Sequence, residues 1–189
     1  MTDTHLQDYI ERIAHLIRSE TRIAGADFDL QPIQQSALHY LAHANRYSDT
    51  PQAVTEYFGL TKGTVSQTIK ALEAKGLLER GADAQDGRKV HLKVTPAGKK
   101  LLKKTMPART VTGVWADMDE GMRTDLLVHL KNLLQDLQRK NEMNAFGVCK
   151  TCRFNRKTGD NRFFCELTQE PLRPAETELL CREHETSTA

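Results

Sequence analysis

The cysteines of this chain lie only in its last quarter, as Cys149, Cys152, Cys165 and Cys181. The first two form a C-x2-C pair, twelve residues separate that pair from the third, and fifteen separate the third from the fourth. A C-x2-C turn brings two sulfurs within reach of one metal, and two later cysteines complete four-fold ligation. The spacing therefore predicts that the four thiols hold one metal or iron–sulfur centre.

Two kinds of centre fit this spacing, and a thiol switch without metal is a third reading. Zinc is often held by two close pairs, whereas this chain has one close pair and two separate cysteines. One pair plus two distant cysteines suits a larger [4Fe-4S] cluster, which aromatic and aliphatic neighbours would shield from water. His184 forms C-x2-H with Cys181, so zinc on Cys149, Cys152 and Cys165 plus either Cys181 or His184 stays open.

The cysteine-containing segment, residues 144–189, has a balanced charge, with seven Lys or Arg and seven Asp or Glu. A DNA-binding finger is normally basic, so the segment is expected to be a sensor or a structural clip. Its 46 residues are too few to fold on a hydrophobic core alone, and a bound metal centre is expected to supply the missing stability.

The rest of the chain reads as helices followed by one hairpin and more helices. Apolar periodicity predicts a first helix over about residues 4–24, ended by Gly25, and a last, leucine-striped helix over about 119–143. Helix starts are expected at Pro32, Pro51 and Pro96 and after Thr61, and Pro107 is expected to interrupt the helix that begins at Pro96. Period-two alternation predicts strands at 77–80 and 90–94, joined by a polar tip.

Helix, turn, helix and hairpin together outline a winged helix-turn-helix, in which one helix enters the major groove of DNA. The segment 61–104 carries a surplus of seven positive charges, which suits a polyanion. Gln67 can pair with adenine, and an Arg at the hairpin tip can enter a narrow minor groove. The predicted DNA-binding residues are Lys62, Thr64, Ser66, Gln67 and Lys70 on the helix and Arg88 and Lys89 on the wing.

The segment LTKGTVSQTIKALEAKGLLERGADAQDGRKVHLKVTPAGKKLL, residues 60–102, resembles the MarR family of bacterial transcriptional regulators. The likeness rests on the helix followed by KGLLER, on the wing motif DGRK and on the LKVTPAGK opening of the next helix. It implies a homodimer, formed by the first and last two helices, whose paired recognition helices bind a pseudo-palindromic operator in double-stranded DNA. The leucine stripe between Met122 and Leu137 supports a dimer independently, because it exceeds what one small domain would bury.

The segment from Cys149 to Cys181 also resembles high-potential iron–sulfur proteins and related small cluster-binding modules. These share a C-x2-C, a third cysteine preceded by aromatic residues and a fourth after a loop of similar length. The likeness rests on spacing more than on identity. The aromatic residue that usually follows the fourth cysteine is absent here, and His184 stands nearby instead.

The sequence thus predicts a mainly α fold with a small β-hairpin wing, divided into a winged helix-turn-helix and dimerisation domain over 1–143 and a cysteine module over 144–189. The expected function is a MarR-type repressor whose DNA affinity is controlled by an iron–sulfur cluster that senses redox state, oxygen or iron. The alternative is a regulator with structural zinc and a small-molecule effector in the dimer cleft. We find no catalytic set, signal peptide or membrane span, and expect a cytoplasmic protein that is not an enzyme.

Overall fold

The computed structural model describes residues 3–83 and 86–186. The helices of the first part are α1 (Asp3–Ala26), α2 (Pro32–His43), α3 (Pro51–Phe58), α4 (Lys62–Ala74), α5 (Pro96–Thr105), α6 (Arg109–Asp117) and α7 (Glu120–Lys140). Strands β1 (Leu78–Ala82) and β2 (Val90–Val94) form an antiparallel hairpin between α4 and α5. This order confirms the predicted mainly helical fold with a small β wing.

Threonine caps begin α3, α4 and α5, at the helix starts predicted at Pro51, after Thr61 and at Pro96. The side-chain oxygens of Thr50 and Thr61 accept hydrogen bonds from the backbone N–H groups of Ala53 and Thr64, both at 3.2 Å. Each bond satisfies a donor that the first helical turn leaves free. Gly59 lies between α3 and α4 with a φ of 62°, a left-handed conformation that glycine adopts without strain, and so makes the tight turn of the helix-turn-helix.

The core of the first part lies where α2, α4, α5 and the hairpin meet. Leu38, Leu72 and Leu92 are at most 1% exposed there. Helix α5 approaches the hairpin closely at Gly98, where a Cβ would lie 2.4 Å from the carbonyl oxygen of Leu77. The hairpin is thereby packed against α5 at its base.

Helices α1, α6 and α7 leave much apolar surface uncovered within one chain. No residue of α6 or α7 is fully buried, and α1 buries only Thr21 and Gly25. Gly25 lies inside the last turn of α1 rather than ending it, and a Cβ there would clash with the side chain of Gln35. The exposed large side chains are Leu6, Tyr9, Ile10, Ile13, Leu16, Ile23, Val111, Val114, Met122, Leu126, Leu127, Val128, Leu130, Leu134 and Leu137.

Residues 144–186 form small sheets and turns that pack on the helical part. Strand β3 (Gly147–Val148) pairs with β7 (Leu180–Cys181), and β4 (Asn155–Gly159), β5 (Arg162–Cys165) and β6 (Glu170–Leu172) form a second sheet. A 3₁₀ turn (Cys149–Thr151) and α8 (Pro174–Thr177) complete the cysteine module. Among the described helices, none combines the length and the apolar content needed to cross a bilayer.

Phe146 joins the cysteine module to the main core. It is 8% exposed, and its ring meets those of Tyr40 and Tyr57 edge to face, with centroids 6.0 and 5.1 Å apart. A segment this short is expected to need a metal to fold. The packing adds a second source of stability, because the module shares buried apolar surface with the winged helix.

Candidate DNA-binding surface and cysteine centre

Helix α4 buries one face and leaves the predicted reading face open. Val65, Thr68 and Ile69 are buried against the core. The five predicted residues, Lys62, Thr64, Ser66, Gln67 and Lys70, are all exposed. The amphipathic spacing thus places their side chains on the surface, where a DNA groove is accessible to them.

One of the five has a second task. The hydroxyl of Thr64 lies 2.9 Å from that of Thr61, and the backbone N–H of Thr64 donates to the Thr61 side chain. Thr64 therefore helps to build the start of α4, and its hydroxyl is already oriented before any DNA arrives.

The wing carries the predicted basic residues on an ordered turn. The side chain of Arg88 is 92% exposed, and its Nε donates to Oδ1 of Asp86 at 3.1 Å. The backbone N–H of Lys89 donates to the Asp86 carbonyl at 2.8 Å. Hydrogen bonds from Arg88 lower the pKa of the Asp86 carboxyl. Asp86 therefore shapes the turn and holds the guanidinium of Arg88.

An acidic pair brackets His91 at the root of the wing. Its Nδ1 lies 2.5 Å from Oδ1 of Asp49, in the loop before α3, and its Nε2 lies 2.9 Å from Oδ2 of Asp83. Burial lowers the pKa of His91, but the two carboxylates outweigh burial and leave the pKa above its ordinary value of 6.5. The contact with Asp49 ties the wing to the loop before α3.

All four cysteines line one small pocket. Cys149 and Cys181 are buried, while Cys152 and Cys165 are half-buried. The walls include the apolar side chains of Phe154, Leu167 and Leu172, together with Tyr47 from the loop between α2 and α3. Within residues 3–83 and 86–186, no three His, Cys, Asp or Glu side chains gather closely enough to hold a single metal ion. The thiols thus surround a common space rather than converge on a point.

Several N–H groups point at the sulfurs. The side-chain amide of Asn155 donates to Sγ of Cys149 at 3.4 Å, and the backbone N–H of Glu185 donates to Sγ of Cys152 at 3.5 Å. Burial raises the pKa of the Cys149 thiol to about 11, against the lowering effect of Asn155. Donors of this kind favour negatively charged sulfur, the form that binds metal.

Asn45 adds a further donor from outside the module. It is 1% exposed, and within the described residues its amide nitrogen has no hydrogen-bond partner. This nitrogen faces Cys181, where it lowers the pKa of the thiol against the stronger raising effect of burial. A buried, unsatisfied N–H beside a thiol is costly unless the sulfur is charged.

His184 lies beside the pocket rather than among its lining residues. It is 3% exposed, and its Nε2 lies 2.9 Å from the hydroxyl of Thr151. Its ring packs against Gly147, where a Cβ would lie 2.4 Å from Cγ and Nδ1. Burial lowers the pKa of His184, which favours the neutral ring. The imidazole thus packs between strand β3 and the 3₁₀ turn of the module.

Sequence reasoning missed Asn45, Tyr47 and Asn155. Asn155 stands in a polar stretch after the C-x2-C pair, so its proximity to that pair is a signal that the sequence does carry. Asn45 and Tyr47 lie more than a hundred residues before the nearest cysteine. Only the docking of the module on the α2–α3 loop brings them to the sulfurs.

Comparison with known proteins covers the helical part of the chain. Residues 28–89 match the model of the MarR family. The uncharacterized HTH-type transcriptional regulator YxaD of Bacillus subtilis is 26% identical over 142 residues, covering 72% of this chain and 94% of YxaD.

Solved structures share the fold. A MarR transcriptional regulator from Methanosarcina mazei Go1 superposes with a TM-score of 0.62 at 17% identity, covering 72% of this chain and 99% of that one. MepR of S. aureus in its DNA-binding conformation gives 0.62 at 24% identity, covering 73% and 100%. Residues 28–89 therefore resemble the MarR family, and the helical part shares its fold with these solved structures.

Proposed function

We propose that this protein is a DNA-binding transcriptional regulator of the MarR type that acts as a repressor. The exposed polar face of α4, beside a wing that presents Arg88, is the observation that carries this proposal. The family match covers α4 and the wing as far as Lys89, and a crystal structure of the S. aureus MepR–DNA complex has a similar fold, with a TM-score of 0.57 at 24% identity. We expect no enzymatic activity.

The uncovered apolar faces of α1, α6 and α7 support a homodimer. Leu127, Leu130 and Leu134 on α7 are each more than half exposed, as is Leu16 on α1. Exposed apolar surface of this extent marks an interface in a soluble protein. A two-fold dimer would present two copies of α4, which suits a pseudo-palindromic operator.

An iron–sulfur cluster is the group that we propose for the cysteine pocket. Zinc–sulfur bonds of about 2.3 Å require tetrahedral thiolates about 3.8 Å apart. The described cysteines form no such group, and they line one pocket with apolar walls. A [4Fe-4S] cluster spreads its four ligands over the corners of a cube, so Cys149, Cys152, Cys165 and Cys181 would each hold one iron.

The chain's own groups would tune such a cluster. The N–H donors of Asn155, Glu185 and Asn45 face three of the four sulfurs and would stabilise negative charge there. Phe154 and Leu172 would exclude water from part of the pocket. The cluster would supply a one-electron change or a site of oxygen damage, through which DNA affinity responds to redox state, oxygen or iron.

Structural zinc with a small-molecule effector is the second candidate. A groove between α1 and the α5–α6 junction favours it, lined by Ile23, Phe28, Met106 and Pro107 among others. The Lys104 ammonium lies 5.9 Å from the centre of the Phe28 ring. The groove could accept an apolar or aromatic molecule, with the cysteine pocket then serving only to hold the module together.

Metal analysis separates the two candidates. Protein purified without oxygen should be brown and contain iron and acid-labile sulfide in equal amounts, about four of each per chain. Changing any one of the four cysteines to serine should remove the iron and expose residues 144–189 to protease. Colourless wild-type protein with one zinc per chain would favour the second candidate.

A further inference from the structure

The loop between α2 and α3, Ala44–Thr50, is bound to the cysteine module along its length. Ala44 bridges to Leu180, and the Asn45 N–H donates to the Leu180 carbonyl at 2.9 Å. The backbone N–H of Arg182 donates to the Ser48 hydroxyl at 2.8 Å. We call this segment the α2–α3 loop. Its parallel bridge at Ala44 pairs it with strand β7, which carries Cys181.

Two side chains of the α2–α3 loop reach the cysteine pocket. Tyr47 lines it, and the Tyr47 hydroxyl bonds to the Glu170 carboxylate and lies 3.0 Å from the Thr168 hydroxyl. Asn45 faces Cys181 from the other side, while its Oδ1 accepts hydrogen bonds from Tyr47 N–H and the Ser48 hydroxyl at 3.1 and 2.8 Å. The pocket is thus completed by residues of the DNA-binding part.

The other end of the same loop holds the DNA-binding elements. The carbonyl of Asp49 accepts the N–H of Leu92 on the wing strand at 2.7 Å, and the Asp49 carboxylate meets His91. The next residue, Thr50, caps α3, the first helix of the helix-turn-helix. Only one residue separates Ser48, which bonds the module, from Thr50.

We infer that the α2–α3 loop is a wall of the cysteine centre and the element that transmits the state of that centre to the wing and to α3. The inference deepens the proposed function and rests on it. A bound group would hold Cys181 against Asn45 and seat Tyr47. Its loss would free Cys181 and Tyr47 from the positions that the group sets, and the loop bonded to β7 would relax. Because Asp49 and Thr50 lie in the same short segment, that movement reaches the wing and α3 together.

Other charged groups face the loop and could contribute. Arg46 stacks over the Tyr47 ring at 5.1 Å and bonds to the Pro171 carbonyl, and its guanidinium lies within 3.7 Å of carboxylate oxygens of Glu170 and Glu176. These contacts anchor the loop to the module.

The test compares operator Kd values for cluster-loaded and cluster-free protein, with iron content measured in each sample. The wild-type ratio should be about 5-fold or more, the usual scale of coupling between sites. Tyr47→Phe keeps the ring but removes the hydroxyl's contacts, and the ratio should fall at least threefold. Asp49→Ala cuts the loop from His91 without touching the pocket, and should lower the ratio with iron content unchanged.

Tyr57→Phe is the matched control, since that hydroxyl makes no hydrogen bond within the described residues although its ring packs at the same interface. Its ratio should equal that of the wild type. A wild-type ratio of 5 or more that persists in both Tyr47→Phe and Asp49→Ala would overturn the transmission role and leave the sensor intact. A wild-type ratio of one would overturn both the transmission role of the loop and the proposed control of DNA affinity by the cysteine centre. If the Tyr47→Phe protein loses its iron, the role of the α2–α3 loop as a wall of the cysteine centre is supported. The Kd ratio of the Asp49→Ala protein then tests the transmission role.

Discussion

A single methyl group at position 147 tests how the cysteine module is packed. Gly147 lies in β3 beside the buried ring of His184, and a Cβ there would lie 2.4 Å from Cγ and Nδ1 and 2.6 Å from Cδ2. The ring is 3% exposed and holds the Thr151 hydroxyl at 2.9 Å, so it has little room to move. Gly147→Ala should therefore force β3 and β7 apart, and with them Cys149 and Cys181.

The size of the effect follows from two terms. Overpacking a buried site costs about 1–3 kcal/mol, and displacing the ring from Thr151 adds about 1 kcal/mol for the lost hydrogen bond. The module should thus be destabilised by roughly 2–4 kcal/mol, a large share of the ~5–15 kcal/mol that holds a domain together. Because the backbone at Gly147 is not in the left-handed region, the cost arises from packing alone.

Hydrogen exchange at the Cys149 amide, which donates to the Leu179 carbonyl at 2.9 Å, reports this loss together with urea unfolding. Gly159→Ala is the control, because a Cβ there meets only the movable side chain of Arg162, at 3.3 Å, and should cost under about 0.5 kcal/mol. His184→Ala in the Gly147→Ala background should restore part of the stability. Equal stability of the Gly147→Ala and Gly159→Ala variants would refute the packing described for Gly147 and His184.

Three further predictions concern the DNA-binding part. Arg88→Ala should weaken operator binding and reduce the slope of log K against log salt by about one, and an unchanged slope would remove the wing from the interface. Gln67→Ala should cost about 1–3 kcal/mol on operator DNA and little on random DNA, whereas equal losses would mean contact with phosphate only. Because the carboxylates of Asp49 and Asp83 raise the pKa of His91 above 6.5, its stabilising contribution is complete below pH 6.5 and is lost as the pH rises through that raised pKa. His91→Gln should therefore cost on the order of 1–2 kcal/mol of unfolding free energy at pH 6 and less at pH 9, and urea unfolding with the same deficit at both values would contradict this.

Local signals made most of the helical part predictable. A threonine followed by proline or by a polar turn marks where a helix begins, and Thr50 and Thr61 act as the sequence indicated. Glycine before α4 and alternating residues in β2 are equally local. The predicted boundaries erred by a few residues, as at 143, because α7 ends at Lys140 where Asn141 closes the last turn with backbone bonds. Such ends depend on contacts that a periodic pattern does not encode.

Only part of the site was predictable, because some residues that contact the cysteine module lie far from it along the chain. Cysteine spacing indicated one metal or iron–sulfur centre, which stays a prediction, and the structure places the four thiols around one pocket. Nothing local indicated that Asn45 faces Cys181 or that Arg182 pairs with Glu56 at 3.0 Å, because these contacts join segments more than a hundred residues apart. The choice between a cluster and zinc stays a prediction for metal analysis.

The central claim is that the cysteine centre controls DNA affinity. Its most direct test is the operator Kd of one wild-type preparation, measured without oxygen before and after the iron is removed by a chelator, at fixed salt. The account predicts that Kd changes by about 5-fold or more and recovers when the iron–sulfur centre is rebuilt. An identical Kd in the loaded, stripped and rebuilt protein would contradict it and reduce the centre to a structural role.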